Sequence, residues 1–375
     1  MHFIINSGDL LQRLNTLAKA QSNKNSLQIL DCVKIDLFAD HIRLTASDSN
    51  VTLITTLPVV DASDINQSIC IKTITLVSAL RELADQPINV SANPQTQEVI
   101  VTYNGGQFNF MAQTAQEYPD TSFNLLNAQT LTLSAETLRD GIQSTRIAVA
   151  SDELRPIING VCFDATTEGL NFVASDGHKL IRNTYHEIKG ENPFQFVLPA
   201  KTADILLHIL GKKNEDVAIE MDEKSIAFRT QEYTFLSRLI EGNYPNYNSV
   251  IPSSGNIIAH IDHDAVMAAL RRVLVFADAN TTLVQLQFDN NNLQLSAQDL
   301  AYAHASQENV TCEYNDEPIT IGFKGTDLLD LLRTLPSGDL SFTMIDPTRA
   351  TILTPDEQAE ENNILLLLMP MMLKS

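Results

Sequence analysis

The sequence predicts an α+β protein of three repeated domains, each an antiparallel sheet carrying two helices. Two helix-opening patterns recur, each at about one third of the 375-residue length. In the first, Lys72-Thr73, Lys201-Thr202 and Lys324-Gly325-Thr326 follow strand-like residues and lead into apolar-striped runs; Thr73, Thr202 and Thr326 are 129 and 124 residues apart. In the second, the openings at Ser7, Ser134 and Asp262 are 127 and 128 apart. Between the helical patterns lie period-two segments bounded by turn residues, without the helix between strand pairs that a doubly wound parallel sheet requires.

The elements follow in order. Leu10, Leu14, Leu17 and Ala18 mark one face of a helix behind a Ser or Asp cap, with counterparts from Ser134 and Asp262. Hairpins follow at Val33–Leu37 with His41–Ala46, Val161–Asp164 with Leu170–Ala174, and Val284–Phe288 with Leu293–Ala297. Their second strands end in related turns at Ser47-Asp48, Ser175-Asp176 and Gln298-Asp299. The Lys-Thr helices come next, with the Thr as candidate cap. Further strands close each repeat, such as Ile88–Ala92, Val99–Tyr103 and Gln107–Met111. Domain boundaries are expected to give 1–127, 128–254 and 255–375, the last break lying in the Pro252–Asn256 stretch.

With 44% apolar residues, each repeat has enough to build its own core. Cys32, Cys70, Cys162 and Cys312 have no metal-ligand spacing and read as buried free thiols of a reducing cytoplasm. The N-terminus lacks a basic region followed by a long apolar run, so no signal peptide is expected. The run Ile364–Leu373 contains Pro370 and falls short of the roughly 20 residues a membrane span needs.

The net charge of −21 argues against nucleic acid if taken as an average. The charge is not evenly distributed. The six helical windows hold 14 Lys or Arg against 9 Asp or Glu, and the rest of the chain holds 11 against 37. The basic residues include Arg13, Lys19, Lys24, Lys72, Arg81, Arg139, Arg146, Lys201, Arg271, Arg272, Lys324 and Arg333. Solvated helix faces account for such a bias one helix at a time. A surface shared by all six and facing a polyanion accounts for it at once, through phosphate contacts that read no bases.

Three further motifs carry a resemblance: Ser175-Asp176-Gly177-His178-Lys179-Leu180, Glu241-Gly242-Asn243-Tyr244-Pro245-Asn246-Tyr247, and Leu368-Met369-Pro370-Met371-Met372-Leu373. In this order, with the three repeats, the chain resembles the bacterial DNA sliding clamps, the β subunits of DNA polymerase III. The resemblance implies the DNA clamp fold, with two chains closing into a ring whose helices line the hole. It implies a non-catalytic processivity subunit that encircles duplex DNA without sequence preference. Its partners would be the polymerase III catalytic subunit, a clamp loader and other proteins with a clamp-binding motif. A cytoplasmic location and no cofactor are implied.

Carried over by position, the partner-peptide pocket would comprise Arg155, Ile158, Ser175, Gly177, His178, Lys179, Leu180, Pro245, Val250, Leu367, Met369, Pro370, Met371 and Met372. Adaptable thioethers and aliphatic groups suit a surface that accepts many peptides. The sequence departs from the family in carrying Met372 where an Arg is usual and Pro156-Ile157 where an aromatic pair is common, which bears on peptide preference. Ring closure would pair the strand of Phe108 and Phe110 with the third repeat's first helix at Val275 and Phe276, although a core role for these four remains open. Lys24 is expected as a further DNA contact after the first helix.

Two other functions compete. An enzyme would be seeded by Asp176 and His178, but no nucleophile, base and oxyanion set accompanies them, and Asp48 and Asp299 recur in related turns without a His. A DNA-free scaffold of tandem repeats would scatter the basic helices over different faces.

Overall fold

The computed structural model describes residues 1–22, 25, 27–121, 125, 128–189, 193–252 and 255–373. It divides into two compact units, Met1–Arg139 with Asp204–Leu239, and Asp140–Ala203 with Ile240–Ser375. Six helices are present among the described residues: α1 (Ser7–Leu17), α2 (Thr73–Arg81), α3 (Ala135–Arg146), α4 (Ala200–Leu210), α5 (His263–Leu274) and α6 (Gly325–Leu332).

The first unit holds two antiparallel sheets. The smaller runs in the order Asp61–Ser63, His2–Asn6, Pro87–Asn93, Glu98–Tyr103, Gly106–Met111. The larger runs Gln113–Thr114, Gln67–Lys72, Cys32–Leu37, His41–Ser47, Val51–Pro58, Tyr233–Arg238, Ser225–Arg229, Asp216–Met221, Gln129–Ser134. The second unit is built on one sheet of twelve strands: Phe194–Pro199, Gly160–Ala165, Leu170–Ser175, Lys179–Tyr185, Asn362–Leu368, Thr351–Pro355, Asp339–Met344, Ile257–Asp262, His304–Glu313, Asn292–Asp299, Leu283–Asp289, Ile319–Lys324.

The three expected hairpins form in register, with Ile35 opposite Leu44, Phe163 opposite Phe172 and Leu286 opposite Leu295. These paired side chains are all buried to 1% or less, as alternation requires when one face is covered. The helices bury their apolar stripes beside them: Leu10, Leu14 and Leu17 on α1, and Leu328, Leu331 and Leu332 on α6. Each such leucine contributes about 2 kcal/mol of transfer free energy.

Three expectations are corrected. The N-cap of α1 is Asn6, whose side chain accepts from the Gly8 and Asp9 N–H groups, and not Ser7 or Asp9. Nor do the repeated threonines cap: the caps of α2 and α6 are Lys72 and Lys324, which make no side-chain cap bond, and Thr73, Thr202 and Thr326 lie inside the helices. The chain turns directly from strand to helix there, so α2 begins at Thr73 itself and α4 and α6 begin before Thr202 and Thr326. Third, the repeats do not keep their cores apart. Val51–Pro58 pairs with Tyr233–Arg238, and Lys179–Tyr185 with Asn362–Leu368, so each of the two larger sheets crosses from one repeat into the next. One core cluster accordingly joins Ala174 and Ile181 to Val266, Leu328, Phe342 and Leu366.

Cys32, Cys70, Cys162 and Cys312 are buried and free. Burial pushes the Cys32 thiol up to about 11 and the Cys70 thiol up to about 12. No helix among the described residues is long and apolar enough to cross a membrane.

Candidate partner pocket and basic helices

Within the second unit, the turn Ser175–Lys179 is built by its own side chains. The Ser175 hydroxyl donates to the Lys179 carbonyl at 2.9 Å, and Asp176 Oδ1 accepts from the His178 and Lys179 N–H groups at 2.8 and 2.9 Å. Burial would raise the Asp176 pKa, but these bonds and the Lys179 ammonium outweigh it and hold the carboxyl below its usual range. Asp176 is therefore occupied in turn chemistry. Gly177 sits at φ +91°, where a side chain is strained, and the Arg155 guanidinium lies over it.

The turn leads into the strand that pairs with Asn362–Leu368, with Leu180 opposite Leu367, and the Met369 N–H donates to the His178 carbonyl at 2.8 Å. These pairings bring together a cavity of about 300 Å³ lined by Arg155, Ile158, Ser175, Gly177, His178, Lys179, Leu180, Tyr244, Pro245, Asn246, Tyr247, Val250, Leu367 and Met369. Its floor is an apolar cluster containing Ile158, Leu180, Tyr244, Tyr247 and Leu367. Val250 and Met369 are exposed at 55% and 41%, which leaves apolar surface open to a ligand. Polar groups of Arg155 and His178 stand around it. Such a site suits a short peptide that inserts apolar side chains and is oriented by a few polar contacts.

Eleven of the fourteen residues expected from the sequence line this cavity. Pro370, Met371 and Met372 do not. The Met371 N–H bonds to the Gly322 carbonyl at 2.8 Å, and Met372 projects into solvent, 82% exposed. A side chain on Gly322 would collide with Leu373, so the chain end approaches that strand closely. Conversely, Tyr244, Asn246 and Tyr247 line the cavity without having been singled out. Their signal was present in the Gly242–Tyr247 motif, and the Tyr247 hydroxyl is anchored by donating to Asp164 at 2.6 Å.

The basic residues differ in circumstance. Lys19, Lys72, Arg81 and Arg271 are exposed, while Arg139, Arg146 and Lys201 are half-buried. Four others are committed to carboxylates: Arg13 to Glu232 at 2.6 Å, Arg272 to Glu308 at 2.5 Å, Lys324 to Asp327 at 3.2 Å and Arg333 to Asp330 at 3.0 Å. Arg13 is the most enclosed, its side chain 14% exposed and its guanidinium 5.1 Å from the Tyr233 ring centroid. Its bond to Glu232, joined by one from Lys213, holds that carboxyl down to about 2. Lys24 lies outside the described residues.

Phe108 and Phe110 are half-buried on Gly106–Met111, the edge strand of the five-stranded sheet, where Phe108 rests on Tyr103. Val275 and Phe276 lie beyond the end of α5 and not within it, since the helix closes at Leu274; they are 74% and 40% exposed. Near Phe276 the sequence offered no cue to His304, whose ring meets it edge-on with centroids 6.3 Å apart, or to Tyr302, whose ring lies tilted against His304 at 6.0 Å. The strand His304–Glu313 pairs along one side with Asn292–Asp299, but on the other side only Cys312 and Glu313 pair, with Ile261 and His260.

Among the described residues of the second unit, Ser341, His260 and Asp356 lie together. Ser341 Oγ and Asp356 Oδ2 both approach His260 Nδ1, at 3.0 and 2.8 Å. A hydrolytic relay needs them on opposite ring nitrogens, so this cluster is not one.

Comparison with known proteins agrees with the architecture. Residues 1–122, 132–246 and 248–372 match, in order, the N-terminal, central and C-terminal domains of the DNA polymerase III beta subunit. The beta sliding clamp of Pseudomonas aeruginosa is 24% identical over 374 residues, covering 100% of both chains, and that of Streptococcus pneumoniae is 26% identical over 378 residues, covering 96% of this chain and 97% of the relative. The crystal structure of a DNA polymerase sliding clamp from P. aeruginosa superposes with a TM-score of 0.92 at 24% identity over 100% of both chains, and one from Bacillus subtilis with 0.91 at 22% over 100% of both. The chain belongs to the DNA polymerase III beta subunit family, the bacterial sliding clamps.

Proposed function

We propose that this chain is a ring-forming sliding clamp that encircles duplex DNA and tethers the replicative polymerase for processivity. The observation that carries it is the sorting of charge: the six helical segments with their flanking residues hold 14 Lys or Arg against 9 Asp or Glu, while the remainder holds 11 against 37. A ring needs no tight grip. Weak, salt-sensitive phosphate contacts hold the helices on the duplex and permit sliding, and topology prevents escape.

The DNA-facing set is proposed to be Arg13, Lys19, Lys72, Arg81, Arg139, Arg146, Lys201, Arg271, Arg272, Lys324 and Arg333, of which Arg13, Arg272, Lys324 and Arg333 also engage a carboxylate. The domains are taken as 1–127, 128–254 and 255–375. The cavity below Met369 is the proposed seat for short peptides of the polymerase III catalytic subunit, a clamp loader and other clamp-binding proteins. Two chains would close the ring by joining two half-open strands, Gly106–Met111 of one copy and His304–Thr311 of the next, with Phe108, Phe110, Val275 and Phe276 covered between them. The role is non-catalytic, in the cytoplasm, and any nucleotide use belongs to the loader.

The test is the triple charge reversal R139E/K201E/R271E. Loading onto nicked circular DNA is expected to fall at least tenfold, as loss of several phosphate contacts implies, while affinity for the polymerase catalytic subunit stays unchanged. Unchanged loading would remove the helices from the DNA side.

A further inference from the structure

A buried carboxylate of the third domain reaches the pocket wall from behind. Asp327, in the first turn of α6, is 6% exposed, and its Oδ1 accepts from Lys179 Nζ at 3.1 Å and from Lys324 Nζ at 3.2 Å. Lys179, 8% exposed, also lies 3.0 Å from Asp176 Oδ2. The ammonium of a cavity-lining residue is thus held between a carboxylate of its own turn and one from a segment 148 residues away. Burial alone would lower the Lys179 pKa; the two carboxylates outweigh it and keep it raised. Asp327 itself is absent from the cavity lining.

We propose that Asp327 is a positioning residue for the partner pocket: by drawing the Lys179 ammonium into the protein, it fixes the wall that Gly177 and His178 present to a peptide. This rests on the cavity being the partner site. A buried cation that loses one of two partners relaxes toward water. For Lys179, water lies on the cavity side, so the relaxing ammonium intrudes where the peptide should lie.

Binding is measured by biolayer interferometry with the purified catalytic subunit of the matching DNA polymerase III. D327N is expected to weaken Kd about fivefold or more, and K179M/D327N to return to within about twofold of K179M, because removing the ammonium removes what Asp327 restrains. A merely structural role for α6 would leave the double variant as weak as D327N, and that result overturns the proposal, as does wild-type binding by D327N. Should D327N fail to fold, the double variant against K179M decides alone. I158D separates the underlying assumption: if it leaves binding intact, the pocket assignment fails; if it abolishes binding while D327N binds normally, only the role of Asp327 fails.

Discussion

Two turns, Ser47–Val51 in the first unit and Ser175–Lys179 in the second, sit at strands that join one repeat to the next, and the side-chain bonds that close them onto the backbone correspond. Ser47 Oγ donates to the Val51 carbonyl at 2.8 Å as Ser175 Oγ does to Lys179 at 2.9 Å. Asp48 Oδ1 accepts from Asn50 and Val51 as Asp176 Oδ1 does from His178 and Lys179. The chain beyond each joining strand returns to the turn in the same way, Arg238 N–H to Asn50 and Met369 N–H to His178. Only the mounted side chains differ. Val51, 3% exposed, fills the interior, whereas Lys179 reaches a remote carboxylate; Leu180 floors a cavity where Thr52 shares a hydrogen bond with Ser47. The backbone scaffold is repeated, and the cavity is a property of a few side chains placed on one copy.

The largest contrast is expected at the third position after each turn's positive-φ residue, Ser49 or Gly177. L180A should cost about 3 kcal/mol in urea unfolding, from lost burial and the enlarged cavity, and should abolish polymerase binding. T52A should cost about 1 kcal/mol, the worth of one hydrogen bond. Equal costs would mean the two joints are packed alike.

A smaller difference separates the aspartates. D48A removes two backbone bonds and should cost about 1 kcal/mol, while D176A also strips Lys179 of a partner and should cost about 2 to 3 kcal/mol. Denaturant midpoints of the two variants check the order. At the third turn position, Ser49 is held at φ +78° where Gly177 is at +91°. S49G should therefore stabilise by about 0.5 kcal/mol and G177A destabilise by about 1 kcal/mol.

The smallest effect concerns Glu232, bonded to Arg13. The pair is partly exposed, so screening limits its worth to less than about 1 kcal/mol. Because the Glu232 pKa is depressed in the folded chain from 4.5 to about 2, its stabilisation is full above pH 4.5 and fades as pH falls toward 2. Unfolding curves of wild type and E232Q should therefore converge on acidification, and a gap that widens would contradict the ion pair.

Most of the fold was legible because its signals are local. Alternation marked the hairpin strands, and the two periods near one third of the chain gave the repeats. The sheets that pass from repeat to repeat were not legible, since nothing in Val51–Pro58 or Lys179–Tyr185 names its partner strand. The same limit hid the Asp327–Lys179 pair, two charges 148 residues apart that look like ordinary solvated residues. The lining of the cavity was foreshadowed, through the family resemblance, down to Met369, but the path of Met371 and Met372 depends on a bridge to Gly322 that sequence spacing does not encode. Likewise, six windows showed where basic residues cluster, but not that Arg13 faces Glu232.

Topological linkage to DNA is the central claim. The chain would be loaded onto nicked circular DNA by the matching clamp loader, washed at high salt, and the same DNA then cut once. Retention on the circle followed by loss from the linear form is the expected result. Equal retention, or equal loss, on both forms would contradict encirclement and leave ordinary affinity or no DNA function at all.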